Sequence, residues 1–96
     1  MNLQQKQIIQ QYFQTKPVQK AYIFGSHARS EQTKDSDLDI LVDIDSKENI
    51  SLFEFGRMLE DLKDLLKIDI DLVSEVGLSK YIKPFIDKEK ILIYEK

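Results

Sequence analysis

The sequence predicts a small α/β domain in which helices cover a mixed sheet. Hydrophobic residues with helical and strand periods alternate along the chain in the order α-β-α-β-α-β-α-β. A length of 96 residues suffices for one domain with a modest core and is too short for two. The 42% hydrophobic and 32% charged residues are typical of an ordinary globular protein. We therefore expect residues 1–96 to form a single domain.

Charge and residue usage exclude several classes of protein. The formal net charge of −3 argues against a duplex-binding surface, because such a surface needs clustered basic side chains. The chain contains no cysteine, which excludes disulfides and thiolate metal sites. No apolar run approaches the roughly 18 residues of a membrane-spanning helix, and the polar N-terminus lacks a signal-peptide pattern. The expected location is the cytoplasm.

The first half of the chain predicts a helix, a strand, a turn and a second strand. Residues 3–16 have helical periodicity, and Pro17 ends this helix. Its apolar face consists of Ile8, Ile9, Tyr12 and Phe13. The apolar run Val18–Phe24 predicts a strand in a central position. We expect residues 25–32 to turn and to open a short helix, before a second strand at Leu38–Ile44.

The next segment predicts the most regular helix of the chain. After a loop at residues 46–50, Ser51 and Glu54 have the spacing of a capping box. Apolar residues then follow at helical intervals, at Leu52, Phe55, Leu59, Leu62 and Leu66. We therefore expect a helix that begins after Ser51 and covers one face of the sheet.

The last third of the chain predicts a strand, a helix and a strand. Residues 67–73 alternate between apolar and polar side chains, as a strand does. The apolar pattern of residues 78–86 indicates a last helix, which Pro84 kinks or divides into two pieces. Residues 91–94 form a short final strand.

The most informative stretch lies between the first two predicted strands. Gly25 and Ser26 close the first strand, and Asp37 and Asp39 open the second. Because side chains alternate along a strand, both carboxylates point to one face, about 7 Å apart. Paired carboxylates suit hard divalent cations, Gly25 permits close approach of the backbone to a ligand, and Ser26 offers a hydroxyl and an N–H to an anion. This combination predicts a site for a phosphate carried by Mg²⁺.

The pattern Gly25-Ser26, ten residues, Asp37-Leu38-Asp39 resembles the signature of the polymerase-β-like nucleotidyltransferase superfamily. The wider string GSHAR…SDLDILV is similar to the minimal nucleotidyltransferase (MNT) group, whose members are single small domains, often antitoxins beside a HEPN-domain ribonuclease toxin. Many relatives carry Gly after the Arg, where this chain has Ser30. The resemblance covers nearly the whole chain and implies the nucleotidyltransferase fold.

A third carboxylate is expected from a neighbouring strand, because two-metal phosphoryl chemistry needs further ligands and a proton acceptor. Asp69 and Asp71 have the same parity, so alternation alone does not choose between them. The family pattern of an Asp inside an apolar strand matches Asp71 better. Asp43 and Asp45 lie roughly 13 Å or more beyond Asp39, and we expect them to be solvated edge charges.

The resemblance implies nucleotidyl transfer from ATP with two Mg²⁺ ions. The implied metal and catalytic residues are Asp37, Asp39 and Asp71. The implied nucleotide-binding residues are Gly25, Ser26 and Arg29. Asp71 would also accept the proton of the attacking hydroxyl. For Arg29 a structural ion pair is an equal alternative, and for His27 a solvated loop position is expected.

The acceptor implied by the resemblance is a tyrosine of a partner HEPN toxin, whose AMPylation would make this chain its antitoxin. We expect no separate acceptor-binding domain within these 96 residues, and we therefore expect the acceptor surface to be shared with another protein or with a second copy in a homodimer. Tyr81, Phe85 and Tyr94 fit such a contact, although core packing is the expected use of each.

Two other functions stay open at this point. One is a non-catalytic antitoxin that silences its toxin by binding alone. The other is a nucleotidyltransferase with a small-molecule or RNA acceptor. The acidic balance and the lack of a basic or aromatic strip weigh against RNA, and direct binding of nucleic acid is not expected.

Overall fold

The computed structural model describes residues 1–45 and 50–96. The predicted loop at residues 46–50 therefore lies, except for Ile50, outside the described residues. In chain order, the elements are helix α1 (Leu3–Phe13), strand β1 (Val18–Phe24), strand β2 (Leu38–Ile44), helix α2 (Leu52–Leu66), strand β3 (Ile70–Ser74), a 3-10 turn (Glu75–Gly77), helix α3 (Lys83–Glu89) and strand β4 (Ile91–Glu95).

The four strands form one mixed sheet in the order β3-β2-β1-β4. β1 lies antiparallel to both β2 and β4, whereas β2 and β3 are parallel. A parallel pair needs a long crossover connection, and α2 supplies it. The predicted mixed sheet with covering helices, and the central position of β1, are confirmed.

The core lies between one face of the sheet and helices α1 and α2. Its largest fully buried side chains include Phe13, Ile9, Leu38, Ile40 and Leu62. Tyr12 ties the two helices together, because its hydroxyl donates a hydrogen bond of 2.6 Å to the Asp61 carboxylate. Burial of the Tyr12 hydroxyl and, after it, this hydrogen bond to Asp61 raise the pKa of Tyr12 strongly.

The other face of the sheet carries the acidic residues of interest. Leu38 and Ile40 of β2 point into the core, so Asp39 between them points to the opposite face. The same alternation places Asp71 of β3 on that opposite face, since Ile70 and Leu72 belong to the core. α1 and α2 therefore do not cover the face that carries Asp39 and Asp71. This face is open at Asp71, which is exposed, and covered further along β2 at Leu41, which is fully buried.

Helix α1 is shorter than predicted. It begins with a capping box, in which the Asn2 side chain accepts from the Gln5 N–H at 2.8 Å and Gln5 accepts from the Asn2 N–H at 3.1 Å. It ends at Phe13, whereas the predicted helix continued to residue 16. Pro17 disfavours the helical conformation of the residue before it, and the chain opens into a turn in which the Lys16 N–H bonds to the Phe13 carbonyl at 3.1 Å.

The prediction of a strand at residues 67–73 is wrong at its start, because β3 begins at Ile70. α2 continues to Leu66, and Lys67 caps it in the left-handed conformation with φ 60°. A left-handed residue ends a helix and reverses the chain direction, so β3 begins only at Ile70. At the other end of α2, Ser51 caps as predicted, because its hydroxyl accepts from the Glu54 N–H at 3.1 Å.

The segment around Pro84 differs from both predicted forms. Pro84 neither kinks nor divides a helix, because it lies in the first turn of α3, where a missing N–H costs nothing. Leu78 lies outside that helix. Tyr94 is buried as expected, but Tyr81 and Phe85 are 74% and 72% exposed, so their expected core packing is wrong.

Asp43 and Asp45 are not solvated edge charges. β2 is an internal strand, and both residues are partly buried. Among the described residues, no helix is long and apolar enough to cross a membrane.

Candidate active site

Strand register brings two of the predicted carboxylates together. In the parallel pairing of β2 with β3, Asp39 lies directly opposite Asp71. The pairing continues beyond β3, where the Leu38 N–H donates to the Asp69 carbonyl at 3.0 Å. Neighbouring strands lie about 4.8 Å apart, so the side chains of Asp39 and Asp71 stand next to each other on the open face.

The electrostatics of Asp39 show which charges surround it. Burial is the main cause that raises its pKa, followed by the negative charges of Asp71 and Asp37. Arg29 opposes this shift, and Glu89 adds to it. Asp37 and Asp71 are exposed and Asp39 is half-buried. The structure therefore gathers Asp37, Asp39 and Asp71, whereas Asp69 lies before the start of β3.

This group of carboxylates fits a divalent cation by its chemistry. Within residues 1–45 and 50–96, no three His, Asp or Glu side chains already stand together as a metal site. Burial and, after it, the negative charges of Asp71 and Asp37 raise the pKa of Asp39, and a bound cation would offset the repulsion among these charges. Carboxylate oxygens are the ligands that Mg²⁺ prefers. Asp37, Asp39 and Asp71 are the residues that would hold it.

The turn after β1 lies against these carboxylates. Gly25 has φ +72°, in the left-handed region that favours glycine, and a Cβ at this position would collide with Oδ2 of Asp39. Phe24, the last residue of β1, lies opposite Asp39 in the antiparallel ladder. Gly25 therefore permits the close approach of the turn to Asp39, whereas the predicted close approach of its backbone to a ligand stays a prediction.

Residues 25–30 form a series of turns, and the predicted short helix is wrong. The Arg29 N–H bonds to the Gly25 carbonyl at 3.1 Å, and the Glu31 N–H bonds to the Ser26 carbonyl at 2.9 Å. Ser30 has φ +58°, a conformation that favours glycine. In the described part of the chain, the N–H groups of residues 26–28 have no hydrogen-bond partner and can serve an anion.

Glu89 is a site residue that the sequence did not predict. Its Oε1 accepts from the Gly25 N–H at 2.9 Å, and its Oε2 accepts from Nη1 of Arg29 at 2.8 Å. Arg29 also bonds to Glu31 through Nε at 3.2 Å. Arg29 thus forms the structural pair that was one of its two predicted uses. Of the three predicted nucleotide-binding residues, Ser26 keeps its N–H available.

His27 is not the solvated loop residue that was expected. Both ring nitrogens are shielded from solvent and make no well-formed hydrogen bond with the described residues. Burial lowers the pKa of His27, the positive N-terminus lowers it further, and the nearby backbone of Ser36 opposes this shift. The net shift favours the neutral imidazole.

A cleft of about 440 Å³ opens between the end of α2 and the segments that precede β2 and β3. Lysines and acidic residues both line it. The lining residues are Lys34, Asp35, Ser36, Lys63, Lys67, Ile68 and Asp69. Asp37, Asp39 and Asp71 do not line this cleft.

The raised pKa of Asp39 predicts a stability that depends on pH. A carboxyl whose pKa is higher in the folded state destabilises the fold once pH rises above its unfolded value, near 3.9. Asp39→Asn should therefore raise Tm at pH 7, by about 2–4 °C, and this gain should vanish as pH falls towards 4. Thermal unfolding at both pH values measures it.

Asp43→Asn is the matched control for that measurement. Asp43 lies on the same strand and face, roughly 13 Å from Asp39, and pairs with Lys20 in the ladder. Its substitution should not raise Tm. An equal gain in both variants, or a gain in Asp39→Asn that persists at pH 4, would contradict the raised pKa of Asp39 as the cause of the gain.

Comparison with known proteins decides the family. The family model described as polymerase beta, nucleotidyltransferase matches residues 6–96. This range contains every residue of the site described above. The chain belongs to the polymerase-β nucleotidyltransferase family. The fold that the Gly25-to-Asp39 pattern implied is thereby confirmed.

Two relatives are both described as protein adenylyltransferases. A Thermococcus cleftensis protein named protein adenylyltransferase MntA is 37% identical over 76 residues, which cover 79% of this chain and 75% of that protein. A Methanocaldococcus jannaschii protein described as a candidate protein adenylyltransferase is 40% identical over 91 residues, which cover 92% of this chain and 86% of that protein.

Solved structures of this family have the same fold. A structure described as a candidate minimal nucleotidyltransferase has a TM-score of 0.79 and 31% identity, and covers 92% of this chain and 88% of that chain. The MNT antitoxin fold also appears in a complex described as the tri-AMPylated Shewanella oneidensis HEPN toxin with its MNT antitoxin, with a TM-score of 0.75, 18% identity, and coverage of 100% and 74%. At 18% identity, this second likeness shows the fold alone.

Proposed function

We propose that this nucleotidyltransferase is a protein adenylyltransferase, which moves AMP from Mg-ATP to a tyrosine of a partner HEPN-type toxin and acts as its antitoxin. The observation that carries the proposal is the register of Asp39 with Asp71 beside the Gly25 turn. It is supported by the 37% and 40% identity to two proteins described as adenylyltransferases. A neighbour in fold that is described as a toxin–antitoxin complex with AMP-PNP supports ATP as the nucleotide.

The nucleotide side of the proposed site is the turn after β1. Successive N–H groups that point into one concavity bind anions well, and those of residues 26–28 have no other partner among the described residues. The triphosphate of ATP would accept from these groups and from the Ser26 hydroxyl. Arg29 is held by Glu31 and Glu89, so we assign it to supporting the turn.

The acceptor side of the proposed site is Asp71. Mg²⁺ held by Asp37, Asp39 and Asp71 would neutralise the triphosphate and lower the pKa of the attacking hydroxyl. Asp71 is exposed, so an incoming tyrosine can reach it, and its carboxylate accepts the hydroxyl proton. A bond forms between the tyrosine oxygen and the α-phosphorus, the bond to the bridging oxygen breaks, and pyrophosphate leaves in line.

The partner needs a surface as well as a reactive group. Tyr81 and Phe85 are largely exposed, and they lie just before and within α3, whose last residue, Glu89, belongs to the site. They offer apolar surface for a HEPN-type partner or for a second copy of this chain. A reaction that consumes ATP and modifies a ribonuclease toxin places the chain in the cytoplasm under this proposal.

The decisive test is incubation with Mg-ATP and the HEPN-type protein of the same genome, with intact mass as the measurement. We expect the partner to gain one or more AMP units, and peptide mapping to place them on tyrosine. Omission of Mg²⁺ should abolish the gain. Asp43→Asn serves as the control variant and should retain it.

Two outcomes would contradict the proposal. Tight binding of the partner without a change in mass, with Asp39→Asn still neutralising the toxin, would indicate an antitoxin that acts by occlusion. AMP found on a small molecule or on an RNA, and not on the partner, would indicate a different acceptor.

A further inference from the structure

The end of helix α3 is joined to the site through a single carboxylate. Glu89 is the last residue of α3, and both of its oxygens are used: one accepts from Gly25 at 2.9 Å and the other from Arg29 at 2.8 Å. Its side chain is 26% exposed. Bonds to charged groups are stronger than those between neutral groups, so this carboxylate is a firm link between the turn and α3.

The sheet explains why a side chain is needed here. In the ladder between β1 and β4, Ile23 pairs with Ile91. If the same register continued past the end of β1, the N–H of Gly25 would face the backbone of residue 89. That residue, however, belongs to α3. The Glu89 side chain supplies the acceptor that the ladder lacks. The Gly25 N–H is thereby directed towards β4, away from β2 and Asp39 on the other side of β1.

The same carboxylate fixes the position of a positive charge. The Arg29 backbone bonds to the Gly25 carbonyl at 3.1 Å, and its guanidinium lies between Glu89 and Glu31. Arg29 is close enough to Asp39 to lower the pKa of that carboxyl. The charged form of Glu89 is stabilised, because Arg29 and the Gly25 N–H lower its pKa.

We propose that Glu89 is a positioning residue for nucleotidyl transfer, which holds the Gly25 turn and Arg29 in place against Asp39. The inference rests on the proposed function and adds a residue to it. Glu89 acts through its two partners and touches neither ATP nor the acceptor. When this link is removed, the turn that carries the phosphate donors loses its fixed orientation relative to the carboxylates.

The test is the steady-state rate of AMP transfer in Glu89→Gln, with Glu31→Gln as the matched control. Both glutamates bond to Arg29, but only Glu89 also bonds to Gly25. We expect kcat of Glu89→Gln to fall roughly 10- to 100-fold, as a misplacement of about 1 Å does, with KM for ATP changed less than about threefold. Glu31→Gln should stay within about twofold of wild type.

A double-mutant cycle separates positioning from a general loss of structure. If Glu89 acts partly through Arg29, the effects of Glu89→Gln and Arg29→Ala on kcat should not add in the double variant. A wild-type kcat in Glu89→Gln would overturn the inference. A fall in KM for ATP with unchanged kcat would also overturn it, because that result would mean that the Glu89 carboxylate hinders the binding of ATP and does not position the turn.

Failure of the proposed function gives a different result. In that case wild type itself transfers no AMP, and amide hydrogen exchange of Gly25 in Glu89→Ala decides the inference about the turn. Faster exchange at Gly25 than in Glu31→Ala upholds the role of Glu89, whereas equal exchange in the two variants overturns it.

Discussion

The Asp39→Asn and Asp71→Asn variants are expected to lose AMP transfer by roughly 10³-fold and to remain folded. The two carboxylates lie opposite each other in the β2–β3 pairing, and an amide of the same shape cannot supply the negative charge that a divalent cation and a transferred proton need. The measurement is single-turnover transfer from labelled Mg-ATP, beside circular dichroism of each variant.

Asp69→Asn is the control that makes this prediction specific. Asp69 has the same strand parity as Asp71, but it lies before β3 and pairs with Leu38 only through its backbone carbonyl. We expect its substitution to change the rate of AMP transfer less than about threefold, because the strand register places Asp71, and not Asp69, opposite Asp39. A large loss in Asp69→Asn with an active Asp71→Asn would mean that the third carboxylate is Asp69.

The Gly25→Ala variant is expected to lose both activity and stability. Its new Cβ would collide with the Asp39 carboxylate, and its φ of +72° strains any residue with a side chain. The collision involves a catalytic side chain, so relief of the strain must displace either the turn or Asp39. We expect a loss of about 2–4 kcal/mol in the free energy of unfolding and transfer below detection. Urea unfolding and the transfer assay measure the two effects.

Gly56→Ala is the matched control for that substitution. Gly56 lies within α2, and a Cβ there meets no atom within 4 Å. Alanine in a helix interior should raise the free energy of unfolding by roughly 0.5–1 kcal/mol and leave transfer unchanged. Equal losses in the two glycine variants would contradict the role assigned to the left-handed turn.

The sequence was sufficient for the parts of the fold that depend on local pattern. Strands β1 and β2 have the predicted bounds because their apolar runs are flanked by clear polar signals. Asp39 lies opposite Asp71 on the face that alternation predicted, whereas Asp37 precedes β2, so its shared parity with Asp39 stays a prediction. The choice of Asp71 over Asp69 also stays a prediction. The resemblance carried by residues 25–39 predicted the family, which the match over residues 6–96 confirms.

The remaining features depend on contacts that no local pattern contains. Lys67 alternates with its neighbours as a strand residue would, yet it caps α2 in a left-handed conformation. His27 has no sequence neighbour that would indicate its burial. Glu89 is the last residue of a short helix, and its partner Gly25 is 64 residues away. Such a contact becomes visible only when the sheet order is known.

The parallel pairing of β2 with β3 also determines when the site becomes complete during synthesis on the ribosome. Gly25 and Asp39 emerge early, but Asp71 can join Asp39 only after α2 has crossed over the sheet, and Glu89 reaches Gly25 only after α3 has been made. A nascent chain therefore displays the signature residues well before it can use them. Translation of the final two elements marks the moment at which the complete site first exists.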